Sequence, residues 1–105
     1  MNQLNSIILE GNVVRKPRLK EGTVPYVKFN IDVHRYVRDR EGDREIVYRF
    51  PIVAYGNYAE NVVNYASKAR GVRVVGRLSK NGSKILVVAE HIEWKPKAPK
   101  KKVSK

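Results

Sequence analysis

The feature that constrains this chain most is a strict two-residue alternation that runs from Tyr26 to Tyr36. Apolar side chains occupy positions 27, 29, 31 and 33, and the residues between them are all polar. Successive side chains of an extended strand point to opposite faces, so the pattern predicts a strand with one face in a core. After a charged turn, "RDREGD", the stretch "REIVYRFPIVAY" predicts a further strand of the same kind.

The second face of these two strands is unusual for a surface in water. It combines tyrosines with basic side chains, namely Tyr26, Lys28, His34, Tyr36, Arg49 and Tyr55. A solvated face has no need of aromatic rings, and a core rarely holds arginine. Unpaired nucleobases stack on aromatic rings while their phosphates require cations, so this face favours single-stranded nucleic acid. Every base can stack, which predicts binding without sequence preference.

The rest of the chain adds three strands and one helix. Residues 6–14 predict a first strand, residues 15–25 a loop, and residues 72–79 and 84–94 the last two strands. The Asn81-Gly82 pair predicts a tight hairpin turn between those last two strands.

The helix is predicted between the third and fourth strands. Asn57 and Glu60 predict a cap in which each side chain satisfies a free backbone N–H. Lys68 and Arg70 suit the carboxyl end of the helix, and Gly71 is predicted to stop it. The stripe that docks on the core consists of Ala59, Val62, Val63 and Ala66.

Five strands with a helix between the third and fourth is the order of the OB-fold. This all-β fold is a five-stranded Greek-key barrel that binds oligonucleotides across one face. A partly open five-stranded sheet with an added helix gives the same order. We predict one OB-fold domain over residues 1–94. Residues 95–105 hold six lysines, two prolines and no acidic residue, and are predicted to be a disordered tail.

The charge points to a polyanionic partner. The chain has 22 lysines and arginines against ten acidic residues, a formal net charge of +12. Sixteen of those basic residues precede residue 95, so the predicted domain is itself basic. Such an excess fits nucleic acid or an anionic membrane surface. No apolar run approaches the roughly 20 residues that cross a bilayer, and no leader pattern opens the chain, which predicts a cytoplasmic, nucleoid-associated protein.

Three stretches carry a family resemblance. "LNSIILEGNVVRKPRLKEG", "FPIVAYGNYAENVVNYASKARGVRVVGRL" and "ILVVAEHIEW" are similar to the opening strand and loop, the central strand with its helix, and the closing strand of bacterial single-stranded DNA-binding proteins. The resemblance implies an OB-fold that assembles as a homotetramer or homodimer and binds single-stranded DNA in replication, recombination and repair. The first strand is the expected seam between subunits.

The resemblance also assigns site residues. Tyr55, just before Gly56, matches a base-stacking aromatic of the family, and Tyr36 lies near a second stacking position. Arg49 stands where many members have a third aromatic, and a guanidinium plane partly substitutes for a ring. The short "SKNGSK" connection replaces a longer, aromatic-bearing loop, which predicts a smaller DNA footprint.

Further basic residues are candidates for phosphate contacts. They are Lys28, Arg35, Lys68, Arg73 and Arg77, with His34 beside them on the first alternating strand. Tyr48 shares the face of Phe50 and is predicted to lie in the core. Tyr58 and Tyr65 on the helix are predicted to pack or to contact a subunit, and Trp94 to cap the barrel or lie at an interface.

Catalysis has no support in the sequence. There is no glycine-rich phosphate loop and no nucleophile motif, and the two histidines are too far apart to suggest a metal site. We therefore predict a binding protein without cofactor or metal. Its lysine-rich end differs from the family's acidic tip, so contacts with replication or repair proteins are not expected to use the tail. Two alternatives stay open, a primosomal-type adaptor in replication restart and a basic RNA-binding OB protein.

Overall fold

A computed structural model describes residues 2–96, which form five strands and one helix in the predicted order. The elements are β1 (Ile7–Val13), β2 (Tyr26–Asp39), β3 (Gly42–Tyr55), α1 (Asn57–Tyr65), β4 (Gly71–Asn81) and β5 (Lys84–Trp94). The predicted tail lies outside the described residues apart from Lys95 and Pro96.

The strands close into a barrel in the order β1-β2-β3-β5-β4. All neighbouring pairs are antiparallel except β3 and β5, which run parallel. The predicted five-stranded OB barrel is therefore confirmed, and the alternative of a partly open sheet is wrong.

The core follows the alternation of the sequence. Val27 and Ile31 of β2, Ile52 of β3 and Val72 of β4 are at most 1% exposed. The buried side chains of the described residues are all apolar. Burying one such aliphatic side chain stabilises a fold by about 1.5–3 kcal/mol, so this interior supplies the main favourable term.

Helix α1 packs on the barrel through the predicted stripe, since Ala59, Val62 and the following Ala66 are buried. The predicted cap is wrong. Gly56 is the N-cap, with φ of 62° and no side-chain hydrogen bond, and Asn57 is already helical. That backbone conformation suits glycine, which has no Cβ to clash.

The predicted end of the helix is also wrong. The helix stops at Tyr65, because Ala66 turns to an extended conformation while its N–H still bonds to the Val62 carbonyl. Lys68 and Arg70 therefore follow the helix instead of forming its last turn, and Gly71 begins β4.

The β4–β5 hairpin is tight, as predicted, but its turn is displaced by one residue. Asn81 pairs with Lys84, so the two turn residues are Gly82 and Ser83. Gly82 has φ of 66°, the conformation that a type II′ turn requires at its first central position. Asn81 consequently ends a strand, and the hairpin carries a two-residue turn at its tip.

The β2–β3 hairpin and the β4–β5 hairpin separate at Pro51 of β3. Strand β3 pairs with β5 only at Ile52 and Val53, whereas it pairs with β2 over its whole length. Proline has no N–H to donate, so it suits the residue where a strand acquires an unpaired edge. Past the pair of Asp32 with Arg49, where β2 also makes its last pairing with β1, the β2–β3 hairpin projects from the barrel as an arm, which we call the long arm (residues 33–48).

The long arm explains why the prediction for Tyr48 is wrong. Tyr48 does lie on the core-facing side of β3, two residues from Phe50, and the two ring centroids are 6.4 Å apart. Its side chain is nevertheless 43% exposed, because the arm extends past the part of the barrel that would cover it.

Ile31 is fully buried and Ile85 is largely exposed, so shortening each side chain should affect stability differently. Ile31→Ala should lower the free energy of unfolding by about 2–5 kcal/mol, because it leaves a cavity in a closed core. Ile85 is 59% exposed, so Ile85→Ala should change the free energy by at most about 0.5 kcal/mol. Urea unfolding of both variants measures the difference, and equal losses would contradict the assigned core.

Candidate nucleic-acid interface

A groove lies where the two hairpins separate. One wall is the outer face of β2 and β3, where Lys28 pairs with Val53 and Asn30 with Pro51. The other wall is the tip of the β4–β5 hairpin, with Asn81, Lys84, Ile85 and Leu86. The two walls enclose a cavity of about 280 Å³. Ile85 is largely exposed, so an apolar side chain stands uncovered at the rim.

An aromatic pair forms one end of the groove. Tyr26 and Tyr55 are direct cross-strand neighbours, with ring centroids 6.2 Å apart and ring planes tilted by 40°. Tyr55 is half-exposed, and the pair borders a second cavity of about 290 Å³ together with Lys80. The alternation correctly predicted that these two tyrosines share a face.

A basic loop flanks the groove. The loop between β1 and β2 lines a cavity of about 650 Å³ with Lys28 and Arg49. It is held in place by its buried Pro17 and by two backbone hydrogen bonds between Lys20 and Tyr26, of 2.8 and 3.0 Å. Lys28 borders all three cavities, so they form one continuous surface.

The charge of this surface has one sign. Among the residues that line the three cavities there is no aspartate or glutamate. The basic ones are Arg15, Lys16, Arg18, Lys20, Lys28, Arg49, Lys80 and Lys84. Clustered cations in a concave surface attract a polyanion and raise its local concentration.

Arg49 has an acidic partner at the edge of the groove. Its Nε and Nη2 donate to the two carboxylate oxygens of Asp32, at 2.8 and 3.2 Å. These hydrogen bonds, with the attraction between opposite charges, hold the pKa of Asp32 below its usual value and raise the pKa of Arg49. The bidentate contact fixes the guanidinium plane, and Asp32 offsets part of its charge.

The long arm carries three further predicted residues away from the groove. Tyr36 is 77% exposed and lies ten residues along β2 from Tyr26, about 33 Å at the usual rise per residue. A hydrogen bond with Glu45 raises the pKa of Tyr36. His34 Nδ1 lies 2.9 Å from the same carboxylate, and Arg35 is on the opposite face of β2.

The remaining predicted phosphate contacts lie on other surfaces. Arg73 donates to Glu10 at 2.6 Å and to Glu93 at 3.3 Å, on the outer face of β1, β4 and β5. Arg77 donates to Glu90 at 3.0 Å on the same sheet. Lys68 lies in the turn between α1 and β4. The structure therefore brings Lys28, Arg49 and Tyr55 together and leaves the other predicted site residues elsewhere.

The groove contains residues that the sequence did not single out. They are the basic residues of the loop "RKPRLK" and two lysines near the β4–β5 turn, Lys80 and Lys84. Their composition was visible in the sequence, but their approach to β2 and β3 depends on barrel closure.

Other kinds of site find no support in the described part of the chain. Over residues 2–96, no three histidine, aspartate or glutamate side chains come together to hold a metal ion. Nor is any helix in that range long and apolar enough to cross a membrane.

The ion pair of Arg49 and Asp32 predicts a pH dependence. A carboxyl whose pKa is depressed by folding stabilises the fold above its unfolded-state pKa, and this contribution is lost as the pH falls through the folded-state value. In an NMR pH titration, Arg49→Gln should raise the midpoint of Asp32 toward the ordinary aspartate value. Glu10, whose pKa is lowered by Arg73 and Lys95, should keep its midpoint and serves as the internal control. An unchanged Asp32 midpoint would contradict the ion pair.

Comparison with known structures finds the same architecture. A Plasmodium falciparum SSB in complex with single-stranded DNA superimposes with a TM-score of 0.77 at 22% identity, covering 91% of this chain and 98% of that one. A small single-stranded DNA-binding protein from Streptomyces coelicolor gives a TM-score of 0.72 at 24% identity, over 90% of this chain and 95% of that one. At these identities the likeness shows the fold alone.

Comparison of sequences is more specific. Single-stranded DNA-binding protein 1 of Clostridium acetobutylicum is 35% identical over 78 residues, which cover 71% of this chain and 70% of that protein. The sequence model of the Single-strand binding protein family matches residues 4–90, which include all of β1 to β4 with helix α1 and most of β5. Because these matches extend over most of its length, this chain belongs to the single-strand binding protein family.

Proposed function

We propose that the protein binds single-stranded DNA without sequence preference and protects it during replication, recombination and repair. The observation that supports this most is the groove itself, in which the pair of Tyr26 and Tyr55 adjoins a continuous run of basic side chains. Membership of the single-strand binding protein family is independent support.

The groove matches the chemistry of an unpaired strand. A base that leaves a duplex exposes both of its flat faces, and stacking one such base on an aromatic ring is worth about 1–3 kcal/mol. Tyr55 offers such a ring, and exposed Ile85 offers apolar contact across the groove. Bases of a duplex are already stacked and paired, so they cannot enter between the walls. Lys28 and its basic neighbours meet the phosphates.

The polar groups in the groove tolerate any base. Asn30 and Asn81 face the same cavity, and within residues 2–96 neither side chain has a hydrogen-bond partner. A carboxamide has both donors and an acceptor, so it can bond to the edge of each of the four bases. Such groups add affinity for DNA without selecting a base sequence.

The protein acts by binding, without catalysis and without a cofactor, in the cytoplasm beside the nucleoid.

The chain also binds further copies of itself and forms a dimer or tetramer. Strand β1 supports this, because it pairs with β4 along Ile7–Asn12 but with β2 only at Asn12 and Val13. Most of one β1 edge is therefore open beside the exposed Ile8, and an open edge invites pairing with another strand.

Two tyrosines of β3 make a matched test of the groove. Tyr55 and Tyr48 have similar exposure, 50% and 43%, but lie on opposite faces of the strand. Tyr55→Ala should weaken binding of a fluorescent thymidine oligonucleotide by about 1–3 kcal/mol, because one stacking ring is lost. Tyr48→Ala should leave the affinity unchanged. Anisotropy titrations of both variants provide the measurement.

Tyr36→Ala extends the same series to the tyrosine on the long arm. Since a carboxylate adjoins its ring, we expect a smaller loss than for Tyr55→Ala. If Tyr48→Ala weakens DNA binding as much as Tyr55→Ala, the DNA does not bind on the face of β3 that carries Tyr55, and the proposal is contradicted.

A further inference from the structure

A second group of basic side chains lies outside the groove, around the turn between α1 and β4. Lys68, Arg70 and Lys95 line a cavity of about 370 Å³ together with Asn12, and its lining contains no carboxylate. Lys95 also forms an ion pair with Glu10, with 3.2 Å between Nζ and Oε1. In residues 2–96, Lys68 and Arg70 form no ion pair, whereas Arg73 and Arg77 on the neighbouring strand both do.

Arg70 is held in a fixed orientation. Its Nε donates to the Lys95 carbonyl at 2.9 Å and its Nη1 to the Tyr65 carbonyl at 3.3 Å. The guanidinium carbon lies 5.8 Å from the centre of the Trp94 ring, a cation–π distance. Both carbonyl contacts leave the charge of Arg70 uncompensated, so a preorganised cation is available for an anion.

The turn that carries Lys68 is strained. Ala69 has φ of 70°, a left-handed conformation that costs a residue with a Cβ of the order of 1–3 kcal/mol. The conformation is held by the Asn12 side chain, which donates to the Ala69 carbonyl, and by the Ala69 N–H, which donates to Val13. Because these two hydrogen bonds fix the backbone at Ala69, they also fix the position of the neighbouring Lys68.

Helix α1 connects this turn with the groove by exposed aromatic rings. Tyr55 ends β3, and only Gly56 separates it from the helix. Tyr58 and Tyr65 are 40% and 51% exposed and lie seven residues apart, which places them on one face about 10.5 Å from each other. Asn61 lies between them on that face and accepts a hydrogen bond from Trp94 Nε1. Glu60 projects from a different side of the helix, so the stripe itself carries no negative charge.

We propose that this surface, formed by Tyr58, Tyr65, Lys68 and Arg70, is a second contact for the same single strand of DNA. The strand leaves the groove at Tyr55, follows α1 with bases on the two tyrosines, and places a phosphate against Lys68 and Arg70. This inference rests on the proposed function of the groove. It differs from the sequence prediction that the helix tyrosines pack or contact a subunit.

Oligonucleotides of different length distinguish binding at the groove alone from binding at both sites. From Tyr26 to Asp32 the groove spans about 20 Å along β2, which holds about six nucleotides of a strand that keeps the 3.4 Å spacing of a duplex, and fewer of a more extended strand. The nine residues of α1 add about 13.5 Å, or about four nucleotides. An oligonucleotide of about six thymidines therefore fills the groove alone, and one of about fifteen reaches both sites.

The test uses the full chain and two charge reversals. Lys68→Glu should weaken binding of the longer oligonucleotide about fivefold and make its slope of log affinity against log salt shallower by about 0.7, with no change for the shorter one. Arg40→Glu, in the exposed turn of the long arm, carries the same change of charge and should affect neither. Equal weakening on both lengths, or none on the longer, would overturn the second site.

A second variant separates stacking from packing. Tyr65→Ala should also weaken only the longer oligonucleotide, and its thermal unfolding shows whether the contact with Trp94 is needed for the fold. If Tyr65→Ala destabilises the chain, Tyr58→Ala makes the same comparison on the same face. A reduced mass in solution with unchanged affinity would assign the face to a subunit contact and contradict the proposal. If the unmodified protein binds neither oligonucleotide, the proposed function of the groove fails instead.

Discussion

The short parallel contact between β3 and β5 is the constraint on which the rest of the structure depends. It closes the barrel through Ile52 and Val53, so the core becomes complete, and it ends at Pro51, so the two hairpins part. A longer ladder would bring the hairpins together and remove the gap between them. A missing ladder would leave the sheet open, and the tip of the β4–β5 hairpin would no longer stand opposite Lys28 and Asn30. Barrel closure and groove thus have the same structural origin.

The distribution of acidic residues decides which basic residues are free to meet an anion. On the sheet of β1, β4 and β5, Glu10, Glu90 and Glu93 neutralise Arg73 and Arg77. On the long arm, Asp43 pairs with Arg38 and Asp39 with Arg44. Exposed pairs of this kind add little to stability, but they cancel the local field. In the groove and the α1–β4 turn, acidic side chains are absent from the linings, and within residues 2–96 only Arg49 and Lys95 of those linings pair with a carboxylate, so the net charge there stays positive.

The sequence predicted what depends on local periodicity and missed what depends on distant contacts. Alternation placed Tyr26, Lys28 and Tyr55 on one face, and the register of β2 with β3 confirms it. Alternation also placed Tyr48 on the core face, but it cannot tell whether another element covers that face. The cap at Asn57 and the helix end near Gly71 were wrong because Gly56 and Ala66 adopt conformations that composition does not reveal. Lys80 and Lys84 reach the groove through barrel closure, which no local pattern encodes.

The assignment of the groove is tested most directly by an NMR titration of the full chain with a short thymidine oligonucleotide. We predict that the largest shifts of backbone resonances fall on Lys28, Asn30, Tyr55, Asn81 and Ile85, since these residues line the two walls. Resonances of Glu10, Arg73 and Glu93, on the salt-bridged sheet, should stay in place. The largest shifts on that sheet, with an unperturbed groove, would contradict the proposed path of the strand.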